Sequence, residues 1–484
     1  MSAQFNNRIA QLLISAMVVL VAILGLFRGI TSDEFQLGIL ALEMNRGREL
    51  YTELWDNHGP IPAWFMALVF QVWPFQDYNQ WYIIRLAGLL SAFGCLGCVW
   101  LGLRELYKSR WARCLGLLTY LTFPAIQLKC YELRSDLFLQ LVWSVMVLVW
   151  IYSTRRTAGA KGRGLGSLAI GLLAGIAFGF SLKALFLCCA IGIGTLIVGL
   201  KQRSHFCSIL GYIFGGLLGL MVWLVPLAQT NRLATFQALF IEKNINRTPP
   251  PFFQGVQKFF DWSNMNALLV FLLMLILLCS AVRFYRRGET RILGVGSMAF
   301  LLLYAYCFVL PTFHAQSLLT LAVPLALVSP KLFLKLNAFV RLKIQKPVVI
   351  SLLPVSTLLL IVASGIFTKD LFRLNMPEQV AWQNARRDAI PLDEPVFDGY
   401  GHPMTHNHPL YYTSWVETLR QSQTEGTLPQ NLSEELQRHK IRWVIRDKRV
   451  QDLDESFNNW LRANYTPTPL EELMQLSTDA VSFD

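Results

Sequence analysis

Apolar runs of about twenty residues recur along the first three quarters of the chain, and short basic blocks separate them. A run of that length crosses the hydrocarbon core of a bilayer as a helix, which satisfies its own backbone hydrogen bonds where no water is present. The runs lie near 9–30, 81–103, 112–128, 133–152, 167–181, 184–200, 207–228, 265–282, 292–310, 314–330 and 348–366. They predict a polytopic α-helical membrane protein with about eleven transmembrane helices. Charged residues make up 15% of the chain, against about a quarter in ordinary soluble domains, and the mean hydropathy is +0.41. The first run is too long for a signal-peptide core, and no small-residue cleavage motif follows it, so it reads as a retained helix.

The net charge of +12 does not point to nucleic acid, because the cations sit between apolar runs. The blocks are Arg104, Lys108, Arg110 and Arg113; Arg155, Arg156, Lys161 and Arg163; Lys201 and Arg203; Arg283, Arg286, Arg287 and Arg291; and Lys331, Lys335, Arg341, Lys343 and Lys346. Only Glu105 and Glu289 dilute them. This is the positive-inside pattern, which places all five loops and the amino terminus in the cytoplasm. The stretch 167–200, as one helix of about 50 Å, exceeds a core of about 30 Å. It is predicted to break near Ser181–Lys183. The nine cysteines all fall in or beside apolar runs, so they read as packing residues; Cys95 and Cys98, a C-x-x-C, lie mid-helix.

The segments 31–80, 129–136, 229–264 and everything after Phe367 then face outward. The tail, 367–484, has mixed charge. Pro395–Asp398 and Ile441–Ile445 read as short strands, and Leu432–His439 and Leu453–Asn464 as amphipathic helices. The predicted organisation is a membrane domain over 1–366, including the outer loop 31–80, and a small extracytoplasmic α/β domain over 367–484. There is no internal or inverted repeat, which weighs against a transporter.

Within 31–80, Asp33 and Glu34 follow the first run directly. Phe35, Ile39 and Leu42 then fall at helical spacing with Gln36 and Glu43 opposite, which predicts an amphipathic helix on the membrane surface. Three readings of the acidic pair compete. Thr31 and Glu34 have capping-box spacing, and acids suit a helix amino terminus. A pair of acids can also bind a metal. The third reading is a general base at headgroup depth, taking a proton from an incoming hydroxyl.

Asp33–Glu34, Gly47, Tyr51, Glu53, Asp56 and Pro60, followed by an apolar aromatic segment and by Arg85 at the start of the second long run, form a pattern. It resembles that of the GT-C glycosyltransferases, among them the protein O-mannosyltransferases and the transferases that add aminoarabinose to lipid A. His58-Gly59 departs from it, where relatives often show Lys or His followed by Pro. The resemblance implies an inverting transfer of a hexosyl or pentosyl group from a polyprenyl (undecaprenyl) phosphate, at the periplasmic face of a bacterial inner membrane. The acceptor is a lipid, an envelope glycan such as lipopolysaccharide, or a protein. Asp33 matches the family's catalytic base, and Glu34 orients the acceptor or caps the helix. No nucleotide-sugar fingerprint is expected, and a divalent cation is left open as a cofactor.

The leaving lipid phosphate calls for cations. Lys183, at the expected break, is the first candidate; snorkelling to the interface is its structural alternative. Arg134 is the second; a local ion cluster with Lys129, Glu132 and Asp136 is its alternative. Lys243 and Arg247 in the third outer segment are further phosphate candidates. Tyr51, Asp56, His58, Glu132 and His314 are candidate substrate contacts. His402, His406 and His408 lie near Asp398 and read as a surface loop before they read as a zinc site. A transporter or a flippase for lipid-linked glycans is the competing function. It fits less well, because nearly all the acids outside the tail gather in outer loops rather than at mid-membrane.

Overall fold

The computed structural model describes residues 3–54, 56, 58–155, 159–200, 206–242, 256–257, 259, 261, 265–310, 315–343, 373–399, 405–406 and 432–477. The expected helix at 348–366, together with Lys243, Arg247, His314, His402 and His408, lies outside these residues. The chain divides into two units. One comprises residues 1–26, 85–229 and 245–373; the other comprises 27–84, 230–244 and 374–484.

The first unit is a bundle of apolar helices. Its elements include α1 (Ala3–Phe27), α4 (Gln80–Leu106), α5 (Arg110–Leu121), α6 (Pro124–Lys129), α7 (Ser135–Ser153), α8 (Ala160–Phe178), α9 (Ala184–Gly199) and α10 (Phe206–Gln229). The long helices Met265–Arg286, Thr290–Phe308 and Leu318–Lys343 follow. Among the described residues, six helices are long and apolar enough to cross a membrane. The predicted run 112–128 is not one helix. It ends at Leu121 and restarts at Pro124, because proline has no N–H to continue the ladder and disfavours helical geometry in the residue before it. The stretch 167–200 does break, between Phe178 and Ala184.

Helices α8 and α10 touch backbone to backbone. Gly171 and Gly175 on α8, and Gly211, Gly215 and Gly219 on α10, repeat at four-residue spacing, as in close-packed membrane helix pairs. A Cβ on Gly215 would stand 2.2 Å from the Leu168 carbonyl oxygen, and one on Gly219 2.2 Å from that of Leu172. Gly192 on α9 has open space around it. Gly215→Leu is therefore expected to cost about 1–3 kcal/mol or more through overpacking, and Gly192→Ala to cost almost nothing. Thermal unfolding of the two variants in detergent checks this; equal melting temperatures would contradict the backbone contact.

The second unit contains α2 (Ser32–Asn45), α3 (Pro60–Val72), the helix Met376–Ala389 and a four-stranded sheet. The strands are β1 (Val396–Asp398), β2 (Trp443–Ile445), β3 (Tyr465–Pro467) and β4 (Leu473–Leu476), in the order β1-β2-β4-β3. β1 and β2 run parallel, and the other pairs are antiparallel. Side chains alternate across a strand. Phe397 and Val444 enter one apolar cluster with Leu436, Phe457 and Leu461, while Val396, Trp443 and Ile445 enter another with Ile390 and Leu473. Both faces of the two parallel strands are thus covered, as their continuous apolar character requires.

Helix α2 departs from the expected surface helix. Phe35, Gln36, Leu37, Ile39, Leu40, Ala41 and Glu43 are all buried, including the two residues assigned to the polar face. Partners from distant sequence explain the difference. Phe35 packs edge-on against Tyr78 and Trp81, which in turn meet Phe75. Gln36 donates to Asp56, and the Glu43 carboxylate pairs with Arg46 and Arg48.

Candidate active site

In the second unit, the acidic pair occupies the first turn of α2 rather than the loop before it. Thr31 caps the helix and forms a capping box with Glu34. Its N–H donates to Glu34 Oε2 at 3.0 Å and its hydroxyl to the same oxygen at 3.2 Å. Glu34 is fully buried. Asp33, one residue earlier, is half-buried, and the Ser32 hydroxyl approaches its Oδ1 at 3.4 Å. The two neighbours therefore differ in kind: Glu34 is enclosed by its cap, and Asp33 keeps partial access to solvent.

The chain entering this turn is held by the helix Met376–Ala389. Gln379 accepts from the Ile30 N–H at 2.7 Å and donates to the Ile30 carbonyl at 3.0 Å, so one amide satisfies both backbone groups. Asn375 Oδ1 accepts from Gly29 N–H at 3.2 Å. Further along the same helix, Asn384 accepts from the Tyr78 N–H and Arg387 donates to the Gln76 carbonyl. Sequence reasoning missed Gln379; nothing local marks a polar residue whose partner is 349 positions away.

Tyr51, Asp56 and His58 meet in the same unit. Asp56 is buried, and its Oδ1 accepts from Gln36 Nε2 at 3.2 Å and from the His58 N–H at 3.1 Å, with His58 Nδ1 at 2.9 Å. The Tyr51 phenol donates to the His58 carbonyl at 2.7 Å. Burial, reinforced by the Asp56 charge, raises the Tyr51 phenol well above its ordinary pKa, so it stays a donor. Tyr51 has φ +71°, a left-handed value that a bulky residue holds only where its surroundings enforce it. Here its ring packs against Phe236. The His58 side chain, 30% exposed, is thereby presented on a fixed loop. Asp56→Ala is expected to destabilise the protein by about 1–3 kcal/mol, because the buried Gln36 amide loses its acceptor. Chemical denaturation measures this; a wild-type midpoint would remove the structural role. Among the cations of the third outer segment, Arg232, not expected from sequence, pairs with Glu49 at 2.6 Å.

In the first unit, the charged residues of 129–136 and the α8–α9 break form one chain of contacts. Lys129 Nζ lies 2.5 Å from Glu132, Arg134 Nη1 lies 3.0 Å from the other Glu132 oxygen, Arg134 Nε lies 3.8 Å from Asp136, and Lys183 Nζ lies 2.6 Å from Asp136. Glu132 is fully buried, and the Arg134 and Asp136 side chains are 7% exposed. Among these described residues, three cations meet two carboxylates. Lys183 is placed by the break itself: α8 ends at Phe178, Lys183 precedes Ala184 at the start of α9, and its N–H approaches Ser181 Oγ at 3.3 Å. The structure thus joins the two leading cation candidates and adds Asp136, which sequence reasoning treated only as a local partner of Arg134. Beside this group, Arg85 is fully buried, with its guanidinium 5.3 Å from the Tyr131 ring centre and Nη1 3.3 Å from the Gly25 carbonyl.

His406 is buried; its Nε2 lies 3.1 Å from the Ile390 carbonyl and its Nδ1 3.3 Å from Thr405 Oγ1. It sits in packing rather than in an open loop. Among the described residues, no three His, Cys, Asp or Glu side chains gather as a metal site would require.

Residues 57–228 match the family model described as dolichyl-phosphate-mannose-protein mannosyltransferase. That stretch carries His58, Arg85, Glu132, Arg134, Asp136 and Lys183, and begins after Asp33. The fold is similar to that of ArnT from Cupriavidus metallidurans bound to undecaprenyl phosphate, with TM-score 0.64 and 13% identity over 97% of this chain and 98% of that one. The apo form of the same protein gives TM-score 0.64 and 13% identity over 96% and 97%. The chain thus resembles that mannosyltransferase family over residues 57–228 and shares the ArnT fold over nearly its whole length. No curated protein matches it by sequence. A buried cation cluster beside long apolar helices and a half-exposed carboxylate at a helix start are the two chemical resources to account for.

Proposed function

We propose that the protein transfers a glycosyl group from a polyprenyl phosphate, undecaprenyl phosphate in a bacterial inner membrane, to a hydroxyl of an envelope lipid, glycan or protein. The chain crosses the membrane about eleven times over residues 1–366, and residues 367–484 form a periplasmic domain. The Asp33 carboxylate takes the proton of the acceptor hydroxyl. The acceptor oxygen bonds to the anomeric carbon with inversion as the bond from that carbon to the phosphate oxygen breaks, and the lipid phosphate leaves as an anion. Lys183 and Arg134 bind that phosphate, with Asp136 and Glu132 fixing where the two cations point. Glu34 caps α2. Tyr51, Asp56 and His58 present a substrate contact. Lys243 and Arg247 as further phosphate contacts, and His314 beside the donor, rest on the sequence alone.

The observation that carries this reading is the chain from Lys129 to Lys183. Buried ions in an apolar bundle are costly and mark function, and this chain places Arg134 and Lys183 together as cations suited to a lipid phosphate. Membranes carrying the protein are expected to turn over polyprenyl-phosphate sugars with no nucleotide sugar present. Transfer that requires a nucleotide sugar would refute the donor assignment.

A further inference from the structure

The other end of α7 carries a second charged assembly. Arg134 precedes its first residue and Arg155 follows its last turn. The helix has 19 residues, about 28 Å at the usual rise. This assembly lines a cavity of about 650 Å³ whose walls include Glu105, Tyr107, Arg155, Glu289, Arg291 and Lys331. The Glu105 carboxylate takes Arg155 on one oxygen and Arg291 on the other, the latter at 2.9 Å. Lys331 Nζ lies 3.0 Å from Glu289. The only two acids that interrupt the basic loop blocks are thus the two that gather cations from three of those blocks. Among the described residues here, three cations outnumber two carboxylates. The Arg155, Arg291 and Lys331 side chains are each about one third exposed, so an incoming group can reach them. The Arg155 guanidinium carbon lies 4.2 Å from the Tyr152 ring centre, and among the described residues its buried Nε has no acceptor. The cavity has the size of a small-ligand site and lies where helices end.

We infer that this cavity binds a phosphate group, of the kind an anionic glycerophospholipid presents at a membrane surface. Arg155 and Arg291, held in a fork by Glu105, provide the planar donors that suit phosphate, and Lys331 adds a point charge. Basic pockets between membrane helices commonly take lipid headgroups in this way. The site is separate from the chemistry proposed above and does not depend on it.

The test uses the full chain in nanodiscs of phosphatidylcholine, doped with phosphatidylglycerol or bathed in inorganic phosphate, with bound phospholipid counted by native mass spectrometry and phosphate by calorimetry. The wild type is expected to retain phosphatidylglycerol selectively. Removing two cations in R291Q/K331Q is expected to weaken retention roughly 30-fold, at about 1 kcal/mol per cation near a membrane surface. R291K, which keeps the charge but not the planar fork, is expected to bind between the wild type and R291Q/K331Q, and K161Q, which removes a charge outside the cavity, is expected to bind as the wild type does. Inorganic phosphate bound in place of the lipid, and lost in R291Q/K331Q, would keep the phosphate site and make its source soluble. Equal retention by the wild type and a folded R291Q/K331Q, with no phosphate bound, would overturn the inference.

Discussion

Replacing Lys183 by methionine is expected to lower the rate of transfer by about 10²–10³-fold, the scale of losing one preorganised charge that faces a developing anion. Its ammonium lies 2.6 Å from Asp136, whose side chain is 7% exposed, so it has little freedom to reorganise. The same substitution removes the nearer cation from a buried carboxylate whose contact with Arg134 Nε is 3.8 Å, and a less compensated buried charge destabilises. Stability and rate therefore have to be separated. In K183M/D136N that carboxylate charge is gone, and the melting temperature is expected to return towards wild type while the rate does not. Lys183→Arg keeps the charge and is expected to recover part of the rate. A K183M/D136N protein with full activity would show that Lys183 only neutralises Asp136.

Asp33→Asn is expected to lower kcat by about 10²–10⁴-fold, the usual contribution of a positioned general base, with little change in folding. Asparagine is nearly isosteric and preserves a helix start. Glu34→Gln, one residue on, is expected to behave in the opposite sense. It weakens the capping box and costs on the order of 1 kcal/mol of stability, with the chemistry retained. Measuring kcat and melting temperature for both variants separates the roles. If Asp33→Asn is fully active, or if the two residues fail alike, the base assignment is wrong.

The parts of this structure that were legible in the sequence are those governed by local rules. The break before Ala184 follows from a length that no bilayer accommodates in one helix. The capping box follows from a spacing of three residues. The alternation of Val396 and Phe397, and of Trp443, Val444 and Ile445, marks strands covered on both faces. What was not legible depends on partners far along the chain. Gln36 and Glu43 looked like a polar face because a helical wheel counts polarity without counting partners; Asp56, Arg46 and Arg48 allow both to be buried. The interruption before Pro124 was visible as a proline, but the apolar run around it outweighed the signal. Asp136 and Lys183 are 47 residues apart, and Gln379 and Ile30 are 349 apart; no periodicity encodes either contact. Acids at the ends of apolar helices are therefore better read as candidate partners for every cation at the same end of the bundle than as members of their own loop.

The central claim is that the bond broken joins a sugar to a lipid phosphate. Purified protein given a polyprenyl-phosphate sugar and an acceptor hydroxyl, with no nucleotide present, measures it most directly through the free polyprenyl phosphate formed. The account predicts one lipid phosphate released per glycosyl group transferred, with both products falling together in Asp33→Asn and in K183M/D136N. Transfer without release of lipid phosphate, or transfer only when a nucleotide sugar is supplied, would contradict it.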